Sequence, residues 1–382
     1  MFAVLRRLAP VARLGRRAVV TRAGDVAEVL ARDGDFTLAE VNGPPIERWS
    51  GAFILGMDRG EAYEREAGAL RRAVPHDDLP RIRALVASIA EELLAAARPL
   101  GRIDLVRGYA RVAPTRLVGA YFGAPGPDEA TTMRWMRAMF DAVFLDPGPR
   151  AARAAELTVA EQRPWMERLV AGRRSALAAG DPVPDDLVTR LVAMGEDEPW
   201  LDDDAVRRNV NGVVVGAVDT TSKAVAHVVD ELLRRPAALE GARRAAAAGD
   251  LDAVRGYSWE ALRFRPHAPV LRRRCARGAE LASGRRIRAG TDVSLAVMSA
   301  MFDPAAFPRP GRFDAGRPAD RYLHFGAGLH TCFGRHVNDV QIPELVAAVL
   351  RLPGLRRAPG RAGRLAYDGP FPDRLLLEFD PS

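Results

Sequence analysis

The sequence predicts a mainly α-helical (α+β) domain with small β-sheets, and three observations carry that prediction. Several long runs repeat apolar residues at helical spacing. Strand-like pieces are short and gather mostly between residues 266 and 300. No stretch has the composition of a linker between two independent domains, so residues 1–382 are expected to form one large domain. A chain of this length can bury a substantial core. Its 48% hydrophobic and 27% charged composition is that of a globular protein.

Taken in order, Ala18–Thr21 reads as a short strand and Ala23–Arg32 as a helix. Residues 36–58 hold Pro44, Pro45, Ile46, Trp49, Phe53 and Ile54 among glycines, and read as a long loop of the kind that forms lids or binding loops. Helices are expected over Ala62–Val74, Pro80–Ala97 and Leu105–Phe122. The run Glu129–Leu145 places Met133, Met136, Met139, Phe140, Val143 and Phe144 on one side, either as core packing or as an apolar ceiling over a cavity. Pro147-Gly148-Pro149 should break the chain before a long helix over Ala151–Ala179, and Gly180-Asp181-Pro182-Val183-Pro184 reads as a turn.

A long central helix is expected over Asp202–Arg234, with Asp202–Asp204 at its positive end and Arg234 and Arg235 at the other. Its middle, Gly216-Ala217-Val218-Asp219-Thr220-Thr221, is polar inside an apolar helix. Either the Thr hydroxyls bond back to the preceding turn, or the pair handles protons beside a buried reactant. A further helix over Asp250–Phe264 contains Glu260 and Arg263 at i,i+3, a pairing that by itself is common on surfaces. Strand pieces Val270–Arg274, Glu280–Leu281, Arg285–Ile287 and Val293–Ala296 follow, with Gly284 and Gly290 at turns. A proline-rich meander runs from Asp303 to Pro318, and a hairpin is expected around Asp368-Gly369-Pro370.

Only Cys275 and Cys332 are present, so no disulfide framework is implied and a reducing, cytoplasmic compartment is expected. Residues 1–20 mix Arg6, Arg7, Arg13, Arg16 and Arg17 into a short apolar run, with neither the length of a bilayer-spanning helix nor a signal-peptide cleavage pattern. The net charge of +7 rests on arginine, with a single lysine at Lys223. The arginines read as scattered beside acids, a solvated basic surface rather than a nucleic-acid groove.

The chemistry concentrates in Phe325-Gly326-Ala327-Gly328-Leu329-His330-Thr331-Cys332-Phe333-Gly334. Glycines let the backbone turn tightly and approach a bound group. Backbone N–H groups and the start of the following helix, Val337–Leu350, favour a thiolate at Cys332, the electron-donating ligand that a haem iron takes. Zinc is the rival, since His324, His330, Cys332 and His336 lie close together, but His330-x-Cys332 is tighter than structural zinc spacing.

The spacing Phe325-x-x-Gly328-x-x-x-Cys332-x-Gly334 resembles the haem-binding signature of the cytochrome P450 family. The Gly-Ala-Val-Asp-Thr segment, Glu260-x-x-Arg263 and the Phe307, Phe313 and Arg317 meander precede it in the family's order, and the likeness runs from about Ala18 onward. The resemblance implies a fold with haem b between the central helix and the cysteine loop, in a soluble bacterial-type enzyme. It implies Cys332 as the proximal iron ligand, with Phe325, Gly326 and Gly334 framing the haem and Ala217 at the oxygen notch beside Gly216. It further implies His330 and Arg274, or Arg272 on the same strand face, at the propionates, with Arg72 (or Arg71) contributing from the earlier helix. Glu260, Arg263 and Arg317 would form a buried structural network, and Asp219 and Thr220 the acid–alcohol pair that delivers protons to bound oxygen. Ala217 departs from the commoner glycine, and the family's His-x-x-x-Arg pair is not evident between Tyr63 and Arg72. Asp339 marks a segment where donor docking differs from the family's usual pattern.

The implied activity is a monooxygenase that draws electrons from a separate ferredoxin and its reductase. It would hydroxylate or oxidatively couple an apolar or aromatic small molecule or peptide in natural-product biosynthesis. A hydrogen-peroxide-driven peroxygenase and a non-enzymatic haem sensor are the alternatives. Trp49, Phe53, Met136, Phe140, Val213 and Val270 are the candidate pocket residues. A monomer with no membrane anchor and no nucleic-acid partner is expected.

Overall fold

The computed structural model describes residues 2–145 and 148–381; Pro147, where the expected chain break begins, lies outside the described residues. The chain opens with α1 (Phe2–Leu8), the hairpin β1 (Val11–Leu14) and β2 (Arg17–Val20), α2 (Ala23–Ala31) and the short β3 (Phe36–Thr37). The next segment corrects the expected long loop. Residues Ala39–Trp49 are a helix, α3, with Pro44 and Pro45 inside it. Its start is capped from a distance: Asp58 Oδ1 accepts from the backbone N–H of Leu38 (2.7 Å) and of Ala39 (3.1 Å). Those two orphan donors find an acceptor some twenty residues along the chain, which is why no local capping signal was visible.

Helices α4 (Glu61–Ala73) and α5 (Leu79–Ala97), strand β4 (Arg102–Asp104), α6 (Val112–Ala120), α7 (Glu129–Phe144), α8 (Pro149–Ala179) and α9 (Leu187–Met194) follow. The single helix expected over Leu105–Phe122 is in fact a π-type turn at Val106–Ala110 followed by α6. The long helix α10 (Asp203–Leu232) occupies the centre. Asp202 caps it by accepting from the Ala205 N–H (2.8 Å), and Asp203 and Asp204 sit at its positive end. Its Val206, Val210, Val214, Val218, Val225, Val228 and Val229 are all but inaccessible. Each such valine contributes roughly 1.5 kcal/mol from apolar burial.

Beyond it come α11 (Pro236–Ala247), α12 (Leu251–Phe264), β5 (Leu271–Cys275), β6 (Ala279–Glu280), β7 (Arg286–Ile287), β8 (Thr291–Leu295), α13 (Val297–Ala300) and α14 (Arg335–Leu350). Strands β9 (Arg356–Arg357), β10 (Ala366–Asp368), β11 (Phe371–Arg374) and β12 (Leu376–Glu378) close the described chain. The largest sheet has the order β1-β2-β8-β5-β3, with β2 and β8 parallel and the other neighbours antiparallel. The expected hairpin forms between β10 and β11, while β12 leaves it to pair with β4 and β9. One large apolar cluster surrounds α10, and a smaller one joins α2 to the five-stranded sheet. The cysteine loop lies where these two bodies meet, because a Cβ on Gly328 would stand 2.2 Å from the Leu30 carbonyl oxygen of α2.

Candidate active site

The loop Phe325–Gly334 is held in place by its own backbone. Gly326 (φ 68°) and Gly328 (φ 72°) take the left-handed conformation that glycine adopts without strain. The Cys332 N–H donates to the Phe325 carbonyl (2.8 Å), and the Arg335 N–H donates to the Cys332 carbonyl (3.1 Å). Cys332 retains accessible area and yet sits deep among protein atoms. Burial pushes the thiol pKa up, against the smaller opposing effects of the Gly334 N–H and Arg335. The Gly334 N–H and Arg335 do act toward thiolate, burial outweighs them in the bare loop, and thiolate is the form that a coordinated metal cation enforces.

Along α10, Gly212, Gly216, Ala217, Thr220 and Lys223 are only half-buried on a helix that is otherwise enclosed, and they recur at helical spacing. A Cβ at Gly216 would meet nothing within 4 Å, so this stripe opens onto free space. One turn earlier the space is closed: a Cβ on Gly212 would meet the Phe53 ring at 2.3 Å. The Thr221 hydroxyl donates to Asn338 Oδ1 (3.2 Å), and the Asn338 amide donates to the Gly334 carbonyl (3.1 Å). Asn338 thus ties the cysteine loop to the polar middle of α10. Sequence reasoning assigned it no role, although its spacing of four from Gly334 put it within reach of that carbonyl.

Thr220 donates its hydroxyl to the Gly216 carbonyl, the local back-bonding that was one of the two expected readings. The Asp219 side chain is fully buried and turned toward two arginines. Arg137 Nη2 of α7 donates to Asp219 Oδ1 (2.7 Å), and Arg111 Nε stands 3.3 Å from the same oxygen. Asp219 Oδ2 has no hydrogen-bond partner among the described residues. Arg137 also lies 3.9 Å from Asp368, whose side chain is 82% exposed, so a line of charge runs from the buried acid to the surface. Burial pushes the neighbouring Asp141 up to about 6 against the pull of Arg137, with Asp219 and Asp368 adding to the rise. Burial, then Arg137, brings Lys223 down to about 8. Neither Arg111 nor Arg137 was singled out from sequence; the one available signal was an arginine beside the methionine-rich face of residues 129–145.

At the sheet side of the loop the buried cation is Arg273, at 5% exposure. Its Nη1 donates to the Arg272 carbonyl (2.8 Å), and among the described residues no carboxylate pairs with it. Burial holds it down at about 10, and Asp58 and Asp33 act in the other direction. His330 lies nearby with Nδ1 unpartnered among the described residues, and burial, then Arg273, pushes it down to about 4. Tyr63 packs edge-on against His330 at 5.7 Å and donates to the Leu329 carbonyl (2.7 Å). The expectation for Arg272 and Arg274 is corrected by strand parity: 271, 273 and 275 turn inward, while Arg272 is exposed and Arg274 pairs with Asp292 (2.7 Å). Arg72 likewise points outward, half-exposed and paired with Glu198.

Glu260 and Arg263 are both fully buried on α12. Arg263 Nε and Nη2 donate to the two Glu260 oxygens (2.9 and 2.8 Å), and Arg317 Nε approaches Glu260 Oε1 at 3.4 Å. The Asp314 N–H (2.9 Å) and the Tyr322 hydroxyl (3.0 Å) also donate to Glu260. Arg263 reaches the Met301 (3.1 Å) and Arg312 (3.2 Å) carbonyls, fastening the meander to α12. The histidines once considered with zinc go to separate surroundings. His324 stacks on Tyr322 at 5.0 Å and His336 on His76 at 4.6 Å.

The family profile described as Cytochrome P450 matches residues 129–352, more than half of the chain. The protein belongs to the cytochrome P450 family. Among curated proteins, this P450 is 27% identical over 364 residues to the mycinamicin IV hydroxylase/epoxidase of Micromonospora griseorubida, covering 88% of this chain and 82% of that one. It is 31% identical to the erythromycin C-12 hydroxylase of Saccharopolyspora erythraea over 75% of this chain and 72% of that one. The match to the cyclomarin C epoxidase of Salinispora arenicola, 29% identical over 66% of this chain, spans only 61% of that relative's length. The crystal structure of CalO2 superposes with a TM-score of 0.87 at 27% identity, covering 100% of this chain and 95% of that one.

The prosthetic group of this family is haem b, and the residues present fit it. Cys332 keeps accessible area on the loop, Gly216 opens one side of α10 onto free space, and the buried Arg273 with a His330 Nδ1 that has no partner among the described residues matches an anionic propionate. Of the candidate pocket residues, Trp49, Phe53, Met136 and Val213 are nearly inaccessible, and Phe53 is wedged against α10. Phe140 packs edge-on against Phe371 at 5.3 Å, and Val270 is 45% exposed. No described helix is long and apolar enough to cross a membrane.

Proposed function

We propose that this chain is a haem-thiolate monooxygenase that oxidises an apolar or aromatic small molecule in natural-product biosynthesis, with electrons from a separate ferredoxin and reductase. The observation that carries the reading is the Thr221–Asn338–Gly334 link, which ties the end of the Cys332 loop to the residue of α10 that follows Asp219 and Thr220. Three names among the relatives, a hydroxylase, an epoxidase and a hydroxylase/epoxidase, support an oxygen-inserting reaction.

Haem b, when bound, supplies dioxygen activation. Cys332 would hold it from one side, with Arg273 and His330 meeting its propionates. Thr220 presents its hydroxyl on the open stripe of α10 and exchanges its bond to the Gly216 carbonyl for one to a reacting group. Asp219, held by Arg137 and Arg111 through Oδ1, keeps Oδ2 free to accept and pass a proton. The Arg137–Asp368 contact carries that ion pair on to the exposed Asp368. Phe53 and the valines of α10 exclude water from the apolar side.

The test is turnover of a substrate found by spectral titration of a compound panel, run with a ferredoxin system and separately with hydrogen peroxide. Product formation dependent on the ferredoxin system is expected. Turnover with peroxide alone would replace this reading with a peroxygenase, and binding without turnover in either system would leave a haem sensor.

A further inference from the structure

Six of the seven net positive charges of this chain reside in its first 24 residues. Arg6, Arg7, Arg13, Arg16, Arg17 and Arg22 occur there with no Asp or Glu, and the rest of the chain holds 50 basic groups against 49 acidic ones. The excess is thus concentrated, and the reading of evenly scattered arginines is corrected. Among the described residues none of the six forms an ion pair, whereas arginines elsewhere pair widely. Arg6 donates to the Ser299 carbonyl and hydroxyl (2.9 Å each), and Arg22 to the Arg6 carbonyl (2.8 Å). Arg7, Arg13, Arg16 and Arg17 are exposed.

Apolar side chains stand out in the same segment. Val4, Leu8 and Leu14 are 57%, 78% and 81% exposed, while the other large exposed hydrophobics lie singly elsewhere. Val4 and Leu8 sit one turn apart on α1, with Arg7 beside them. Leu14 stands at the tip of the β1–β2 turn next to Gly15, flanked by Arg13, Arg16 and Arg17. The segment is anchored rather than loose, through Arg6 on α13 and the Arg22 bond back to α1.

Guanidinia that form no ion pair among the described residues, interleaved with protruding leucines, match a surface that offers phosphate at its face and hydrocarbon beneath. An acidic protein would answer the arginines but not the leucines. We propose that α1 and the β1–β2 turn form a docking surface for an anionic lipid bilayer, which the haem domain engages reversibly.

The test is flotation of the haem-loaded protein with phosphatidylcholine vesicles, with and without phosphatidylglycerol. Association is expected only with the anionic vesicles, and raised salt should weaken it. Each arginine near such a surface is worth about fivefold, so the triple variant R13Q/R16Q/R17Q should lose on the order of a hundredfold in partitioning. The variant L8S/L14S should lose about tenfold or more, because the leucines would no longer enter the apolar layer. All five positions are exposed, so both variants should keep the thiolate-type carbonyl spectrum of the parent. Equal association with neutral and anionic vesicles, no association with either, or indifference to the arginine changes would overturn the proposal. Loss in the arginine variant with none in L8S/L14S would also overturn it and assign the patch to an acidic protein.

Discussion

Glu260 and Asp219 are the same chemical group in nominally the same setting: each is a fully buried carboxylate facing two arginines. Their circuits differ. Glu260 accepts from Arg263 through both oxygens and also from Asp314, Tyr322 and Arg317, so no lone pair is left to offer. Asp219 accepts one hydrogen bond from Arg137, has Arg111 at ion-pair distance, and leaves Oδ2 free. A saturated buried carboxylate fixes structure; one with a free oxygen and a charged line to solvent is equipped to handle protons. The number of partners, rather than burial or charge, separates the two.

That contrast breaks most visibly at Arg263. Arg263→Ala strands the Glu260 charge and should cost about 3–5 kcal/mol of stability, read from denaturant melts. A melt like the parent's would sink the structural reading. Asp219→Asn should do the reverse. It should lower turnover on the order of a hundredfold, the scale of a lost general-acid group, while moving the denaturation midpoint little. A collapse of stability with turnover per folded molecule intact would reverse the roles of the two acids.

The next effect is smaller and lies at the sheet side. Arg273→Gln should speed haem loss by about tenfold, the worth of one charge-assisted hydrogen bond, and Arg274→Gln should leave it unchanged. Apomyoglobin capture of released haem reads both, and the opposite ranking would restore the outward-facing strand residues to the role.

The smallest effect concerns Asp141, whose folded pKa of about 6 stands above the ordinary carboxyl value of 3.8. Any stability tied to its protonated form is full below the ordinary value and is lost as pH rises through 6. Asp141→Asn removes the ionisation that burial penalises. It should therefore stabilise at pH 8 by under about 1 kcal/mol, given partial solvent screening, with the gain fading as pH falls toward 4. Melting curves across that range check the sign, and destabilisation at pH 8 would show that Asp141 is held ionised.

What was legible in advance follows from how far apart in sequence the interacting groups lie. The Phe325–Gly334 loop, Glu260 with Arg263, and Asp219 with Thr220 are each encoded within a few residues, so they were visible in the sequence, although for the two pairs only the family resemblance gave the spacing a meaning. Helix α3 was hidden because its cap is Asp58 and because Pro44-Pro45 reads as a breaker. Arg137 and Arg111 approach Asp219 only through helix packing, which no local pattern records. Arg273 stands in a run of three arginines, where strand parity is fixed by pairing with β8 and β3 and not by composition.

The most direct test is the carbon monoxide difference spectrum of the reduced protein after haem supplementation, taken beside Cys332→Ser. The parent should give the thiolate-type carbonyl band and the serine variant should lack it. A parent that takes up no haem, or a variant that keeps the band, would contradict the assignment of residue 332 as the sulfur ligand.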